Sequence, residues 1–156
     1  MPLKSPPVPR MVLHVIMTLM LCAAGRHVTA QTEVLTSQNW ERLVPLGKET
    51  DAIYDDFALK SPAATAIIAR PASTRHANMT VRDVGGCLID LAAAGTDGDQ
   101  LSAFYPGRRK FPFTDASIDG DAVVMSAPGT AARVGCEVRY ELHPSLPVIS
   151  VTSTWT

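Results

Sequence analysis

Aromatic and basic side chains are concentrated in one short segment of the chain. Tyr105 is followed closely by Arg108 and Arg109, and three phenylalanines lie nearby: Phe104, Phe111 and Phe113. An aromatic ring offers a flat surface to the apolar face of a sugar, and guanidinium groups form charge-assisted hydrogen bonds with anions. We therefore take Tyr105, Arg108 and Arg109 as candidate ligand-binding residues, with a carbohydrate as the ligand. In the alternative interpretation, the aromatic residues only anchor a hairpin at Pro106 and Gly107.

Acidic residues form three clusters that are candidate metal ligands: Asp51, Asp55 and Asp56; Asp97 and Asp99; and Asp115, Asp119 and Asp121. A twelve-residue calcium loop ends in a bidentate Glu, and no such Glu follows either of the last two clusters. Asp and Gly are also the residues that turns between strands use. The two histidines that follow the predicted signal peptide, His76 and His143, lie far from each other in the sequence and show no metal-ligand spacing. We predict turns here, with no metal site and no cofactor.

The first thirty residues resemble a signal peptide. Lys4 and Arg10 precede an apolar run over 11–24, which at about 14 residues is shorter than the roughly 20 needed to span a bilayer. Small residues at Val28 and Ala30 suit a signal peptidase. We predict cleavage after Ala30, a secreted or periplasmic location and no membrane span in the mature chain. The alternative is a retained N-terminal anchor.

Export leaves two cysteines in the mature chain, Cys87 and Cys136. In an oxidising compartment they can form a disulfide, which would close a loop of about 50 residues. The alternative is a pair of buried free thiols, because both residues fall on apolar strand faces. The sequence leaves both alternatives open.

The clearest strand signal is RVGCEVRYEL, over Arg133–Leu142, where apolar and polar residues alternate strictly. This alternation predicts a strand with one buried and one solvated face. A turn with two prolines follows, and Val148–Trp155 resumes with β-branched residues. Weaker strand signals recur at about ten-residue spacing, in the segments Ile53–Leu59, Ala64–Ala69, Met79–Val84, Cys87–Leu91, Leu101–Tyr105 and Ala122–Ser126.

Turn residues separate these segments, and helix is predicted only as one or two turns within Gln38–Leu46. Regularly spaced short strands indicate an all-β fold, an antiparallel β-sandwich in a single domain over residues 31–156. Val148–Trp155 reaches almost to the last residue without a polar tail. We therefore expect either an incomplete sandwich, the front of a longer chain, or a complete one whose last strand docks in a sheet.

Three segments carry a resemblance to known proteins: Gly47–Leu59, Ala77–Leu91 and Asp99–Gly107. They resemble the N-terminal region of large secreted proteins of planctomycete bacteria, which are mostly uncharacterised and some of which continue into a metallohydrolase-like domain. Asp55 stands where that family would have Gly. The closing residues 138–155 are similar to strand pairs of galactose-mutarotase-like supersandwich domains. The resemblance implies a supersandwich-like fold and brings no catalytic residue.

Composition limits the partners that the chain can have. The formal net charge is −1, and removal of the three basic residues of the signal leaves 11 basic against 15 acidic residues. This balance argues against nucleic acid or an anionic membrane as a partner. We predict an exported, non-catalytic β-sandwich module that binds carbohydrate or packs against a further domain. The alternative is a metal-dependent hydrolase of the cell envelope, or a fragment of one, built on the aspartate clusters.

Overall fold

The computed structural model describes residues 30–47, 50–98, 101–107 and 112–156. The predicted signal peptide up to position 29 and the candidate residues Arg108 and Arg109 lie outside these ranges. The described residues form eight strands and one short helix: β1 Gln31–Val34, α1 Trp40–Leu43, β2 Phe57–Lys60, β3 Ala64–Ile68, β4 Leu88–Ala93, β5 Asp115–Asp119, β6 Ala122–Ala127, β7 Cys136–Leu142 and β8 Ile149–Trp155.

The strands form two four-stranded sheets, each in chain order. The first sheet runs β1-β2-β3-β4 and the second runs β5-β6-β7-β8. All neighbouring strands are antiparallel. The prediction of an all-β antiparallel fold with very little helix is therefore confirmed. Among the described residues, no helix is both long enough and apolar enough to cross a lipid bilayer.

The main hydrophobic core lies between the two sheets. Its first-sheet members include Leu59 and Ile68, and its second-sheet members include Met125, Val138 and Tyr140. In β7 the buried residues alternate strictly with exposed or half-buried ones, so the alternation predicted from the sequence is the consequence of one face packing on this core while the other meets water. The sheets thus pack face to face as an open sandwich.

The first sheet is also covered on its other face, by α1 and by the segment that joins β3 to β4. Leu43 of the helix and Val84 of that segment pack with Ile67 and Ile89 in a second cluster of buried residues. A sheet that is buried on both faces carries apolar residues at successive positions. This explains why Ala64–Ile68 shows a nearly continuous apolar run where β7 shows clean alternation.

Two predicted strands are wrong. The segment Met79–Val84 bends at Met79 and Thr80 and then continues as irregular chain. The Asn78 side chain accepts hydrogen bonds from the backbone N–H groups of Thr80 and Val81, an Asx-type arrangement that keeps this backbone out of a sheet. The segment Leu101–Tyr105 contributes only one isolated bridge, between Phe104 and Leu88. Both segments cover the first sheet or its edge instead of extending it.

Two strands were not predicted. Asp115–Asp119 was interpreted as turn residues, but it forms β5 by pairing with β6 through a two-residue connection at Gly120 and Asp121. Its side chains are mostly exposed, so it has no apolar alternation to detect. β1 is equally polar and pairs with β2. The Thr32 hydroxyl donates a hydrogen bond to the Asp121 carbonyl at 2.7 Å, which ties the two sheets together at this end.

Candidate functional site

A cleft of about 520 Å³ lies between the segment that joins β3 to β4 and the segment that leads into β5. We call it the Tyr105 cleft, after the candidate ligand residue that lines it in the described part of the chain. Its volume falls within the range of small-molecule sites, roughly 300–1,000 Å³. The other lining residues are Pro71, Ala72, Ser73, Asp83, Gly85, Cys87, Pro106, Pro112, Phe113 and Thr114.

Tyr105 is held in the cleft wall by its hydroxyl group. The hydroxyl donates a 2.6 Å hydrogen bond to the carbonyl of Arg82, 23 residues earlier in the chain, and the side chain is half-buried. Since the polar end of the ring is already engaged, the ring itself is what the cleft offers to a ligand. Pro106 follows directly and fixes the backbone dihedral φ there.

Asp83 brings a negative charge to the same cleft. It is exposed, and its backbone lies in the left-handed region at φ 56°, which non-glycine residues seldom adopt. The N–H of Asp83 donates a hydrogen bond to Nδ1 of His76 at 3.1 Å. His76, which is isolated in the sequence, therefore has a structural role here: it supports the turn that presents the carboxylate.

Two successive glycines allow the walls of the cleft to approach each other. A Cβ on Gly85 would lie 2.7 Å from the carbonyl oxygen of Ala72, and one on Gly86 would lie 2.4 Å from the ring of Phe113. Gly86 also has φ 80°, in the region that favours glycine. The sequence had indicated only a turn at these glycines. The structure adds that they permit close packing beneath the cleft.

Among the described residues, the cleft therefore combines the aromatic rings of Tyr105 and Phe113 and several prolines with the Asp83 carboxylate and the hydroxyl groups of Ser73 and Thr114. Few polar groups on a mostly apolar wall are typical of small-molecule sites. A carboxylate accepts hydrogen bonds from hydroxyl groups, and an aromatic ring packs on an apolar face. This arrangement suits an uncharged ligand that carries both hydroxyl groups and an apolar surface.

The two cysteines of the described residues are both buried, and no disulfide joins Cys87 to Cys136. Cys136 belongs to the core between the sheets, and Cys87 belongs to the cluster on the other face of the first sheet. Tyr140 lies in the core as well, and its hydroxyl donates a 2.7 Å hydrogen bond to the carbonyl of Gly86. Burial raises the pKa of Tyr140, and the nearby thiols add to this effect. Burial, followed by the charge of Glu137, raises the pKa of Cys136.

A buried ion pair that the sequence did not reveal organises the loops beside the first sheet. Arg75 and Asp56 are almost completely inaccessible, and Nη2 of Arg75 lies 2.6 Å from Oδ2 of Asp56. The Asp56 carboxylate also accepts hydrogen bonds from the backbone N–H groups of Ile53 and Arg70, each at 2.9 Å. Nη2 of Arg75 donates a further bond, of 2.7 Å, to the carbonyl of Asp51.

Two further aspartates of the predicted clusters form ion pairs at the surface of the described part of the chain. Asp55 forms an exposed pair with Arg70, and Asp119 forms one with Arg139 at 2.6 Å. Arg139 also lies 3.6 Å from the carboxylate of Glu141, two residues along the same strand, so it belongs to an exposed set of charges at the end of the β5–β6 hairpin. Within the described ranges, no group of three or more His, Cys, Asp and Glu residues is arranged to hold a metal ion.

Of the three candidate ligand residues, the structure places Tyr105 in the cleft, and Arg108 and Arg109 lie outside the described residues. Asp83 was not singled out from the sequence. The sequence pattern placed Asp83 inside the predicted strand Met79–Val84. In the structure its positive φ shows that the backbone is not extended there. Comparison of the chain with protein-family models, curated proteins and solved structures found no match in any of the three.

Proposed function

We propose that this chain is a non-catalytic β-sandwich module of an exported protein, and that it binds a carbohydrate in the Tyr105 cleft. The observation that carries the proposal is the shared lining of one cleft by the Tyr105 ring, the Asp83 carboxylate and two hydroxyl groups. A sugar ring has an apolar face that can pack on the tyrosine and hydroxyl groups that can donate to the carboxylate.

The fixed geometry of the cleft supports the same function. Tyr105 is anchored on the Arg82 carbonyl, and the turn at Asp83 is anchored on His76. Prolines 71, 106 and 112 stiffen the cleft walls. A preformed site loses little conformational entropy when its ligand binds, which suits a module whose task is recognition.

The test is a glycan array followed by titration calorimetry on the best-binding sugar. We expect Tyr105→Ala to weaken binding by about tenfold or more, which corresponds to the roughly 1.4 kcal/mol or more that loss of a packed aromatic ring costs. Asp83→Asn should weaken it less, since the amide oxygen still accepts a hydrogen bond. Tyr105→Phe should retain most of the affinity, because the ring remains.

Tyr54 provides a matched control. It is 54% exposed, is not among the residues that line the cleft and packs edge-on against Trp40. Tyr54→Ala should leave sugar binding unchanged. The proposal is wrong if no glycan binds, or if a bound glycan is equally tight in the wild-type and Tyr105→Ala proteins.

A further inference from the structure

The peptide bond between Arg82 and Asp83 is held at both of its polar ends. Its carbonyl, that of Arg82, accepts a hydrogen bond from the Tyr105 hydroxyl at 2.6 Å. Its N–H, that of Asp83, donates to Nδ1 of His76 at 3.1 Å. One peptide group therefore connects His76 to two residues that line the Tyr105 cleft: to the tyrosine through the carbonyl, and to the aspartate through the N–H.

His76 must be uncharged to hold this peptide group. The backbone N–H is directed at Nδ1, so Nδ1 is an acceptor and the neutral ring carries its proton on Nε2. A protonated imidazole carries a hydrogen on both nitrogens and accepts no hydrogen bond. Histidine side chains commonly change charge between about pH 5 and pH 8. Protonation of the ring therefore leaves the N–H of Asp83 without its acceptor.

The backbone at Asp83 depends on this hydrogen bond. Its φ of 56° lies in the left-handed region, which is unfavourable for a residue that has a Cβ. Two further bonds close the surrounding loop: the N–H of Val84 donates to the carbonyl of Arg75 at 2.9 Å, and the N–H of Ala77 donates to the carbonyl of Val81 at 3.0 Å. Neither bond involves an imidazole, so protonation of the ring acts on the one peptide group between them.

The charged side chains of the segments around His76 are those of Asp51, Asp56, Arg75, Arg82 and Asp83. Arg75 and Asp56 are paired with each other. Arg82 is exposed and donates from Nε to the carbonyl of Met79. Asp83 is the residue that bonds the ring, and a positive charge on the ring attracts its carboxylate. This attraction competes with the hydroxyl groups of a sugar, so it acts in the same direction as the loss of the hydrogen bond.

We propose that His76 makes the Tyr105 cleft sensitive to pH, so that the cleft holds a sugar at neutral pH and releases it when His76 is protonated. The inference rests on the proposed function for the identity of the ligand, and on the hydrogen bonds for the change in the cleft. With a neutral ring the 82–83 peptide group is fixed at both ends. With a protonated ring only its carbonyl end is held, and Asp83 no longer presents its carboxylate in one position. His76 is thus a positioning residue.

The first test needs no sugar. An NMR titration of the protein from about pH 7.5 to about pH 5 follows the backbone N–H of Asp83 and the rings of His76 and Tyr105. We expect the Asp83 N–H and the Tyr105 ring signals to shift with the same midpoint as the His76 ring, because the 82–83 peptide group connects them. In His76→Asn neither signal should shift over this range.

The second test is titration calorimetry at the same two pH values, with the glycan that binds best in the array. The dissociation constant of the wild-type protein should rise by about tenfold or more in acid. His76→Asn places Oδ1 where the ring has Nδ1 and does not titrate, so it should bind equally well at both pH values. His76→Leu lacks an acceptor and should bind weakly at both.

His143→Asn is the matched control. His143 is the other histidine in the described ranges, and its Nδ1 accepts hydrogen bonds from the N–H groups of Ser145 and Leu146 in the β7–β8 hairpin. It is not among the residues that line the cleft. This variant should keep the wild-type pH dependence of sugar binding.

Two results would overturn the proposal. One is an Asp83 N–H or a Tyr105 ring that does not follow the titration of His76. The other is the same pH dependence of sugar binding in the wild-type and His76→Asn proteins. If no glycan binds, the proposed function fails by itself, and the titration without sugar still decides whether His76 controls the cleft.

Discussion

The buried ion pair of Arg75 and Asp56 holds the irregular segments before β2 and after β3 in place. The carboxylate accepts hydrogen bonds from two backbone N–H groups and from the guanidinium group, so it joins the segment before β2 to the segment after β3. Arg75 also donates a hydrogen bond to the carbonyl of His76. Because that segment supplies one wall of the Tyr105 cleft, the pair supports the candidate site from outside it.

At this position, we predict that Arg75→Met lowers the free energy of unfolding by about 3–5 kcal/mol, since it leaves the Asp56 carboxylate buried without its counter-charge. Urea denaturation measures the change. Arg70→Met is the matched control: the Arg70–Asp55 pair is exposed, so its loss should cost less than about 1 kcal/mol. Equal losses of stability in the two variants would contradict the claim that the buried Arg75–Asp56 pair stabilises the fold more than the exposed Arg70–Asp55 pair does.

Among the elements of the fold, the short connection over residues 85–87, which leads into β4, packs beneath the Tyr105 cleft. It contacts both the cleft wall and the core between the sheets. Gly86 approaches Phe113 on one side, and its carbonyl receives the Tyr140 hydroxyl on the other. A side chain at position 86 would therefore displace Phe113, which lines the cleft. This connection links the packing of the core to the shape of the candidate site.

Gly86→Ala and Gly95→Ala together separate backbone strain from packing. Both glycines have positive φ, 80° and 75°, so both substitutions should cost about 1 kcal/mol in strain. The Cβ at position 95 meets nothing within 4 Å, whereas the one at position 86 meets Phe113 at 2.4 Å. We therefore predict an additional loss of about 1–3 kcal/mol for Gly86→Ala, measured as the difference between the two urea midpoints. A difference near zero would mean that Phe113 moves aside freely.

For the whole molecule, the buried hydroxyl of Tyr140 predicts how stability depends on pH. Burial raises the pKa of this group in the folded protein, so the unfolded chain loses its proton first, at about pH 10. Below that pH the stabilising contribution is complete. Above it the unfolded chain binds fewer protons, and the free energy of unfolding falls by up to about 1.4 kcal/mol per pH unit.

Urea titrations at a series of alkaline pH values measure this slope. Cys136, whose pKa is also raised by burial, should begin the decline at about pH 8.5, and Tyr140 should make it steeper. Tyr140→Phe should be less stable at neutral pH, since it leaves the Gly86 carbonyl without its donor, but it should have a shallower slope. Tyr54→Phe, at an exposed tyrosine, should keep the wild-type slope. An unchanged slope in Tyr140→Phe would contradict the prediction.

Local patterns were sufficient to predict part of the fold. Alternation predicted β7 as Arg133–Leu142, although the strand begins three residues later, at Cys136, and Val134 is exposed. β8, the hairpin that precedes it and the turn at Gly120 follow from β-branched residues, prolines and glycine. These signals are local, because a strand with one buried and one solvated face has alternating apolar and polar residues in its own sequence. The same reasoning predicted the all-β class and the short helix near Trp40. It also selected Tyr105 as a candidate ligand residue.

The tertiary structure decided what depends on distant neighbours. The polar segment Asp115–Asp119 is a strand because β6 pairs with it, while the more apolar Met79–Val84 is not a strand because Asn78 holds its backbone in a turn. The partners of Asp56 and of Tyr105 lie 19 and 23 residues away. Contacts at such separations leave no periodic signal along the chain, so only folding could bring Tyr105 and Asp83 into one cleft.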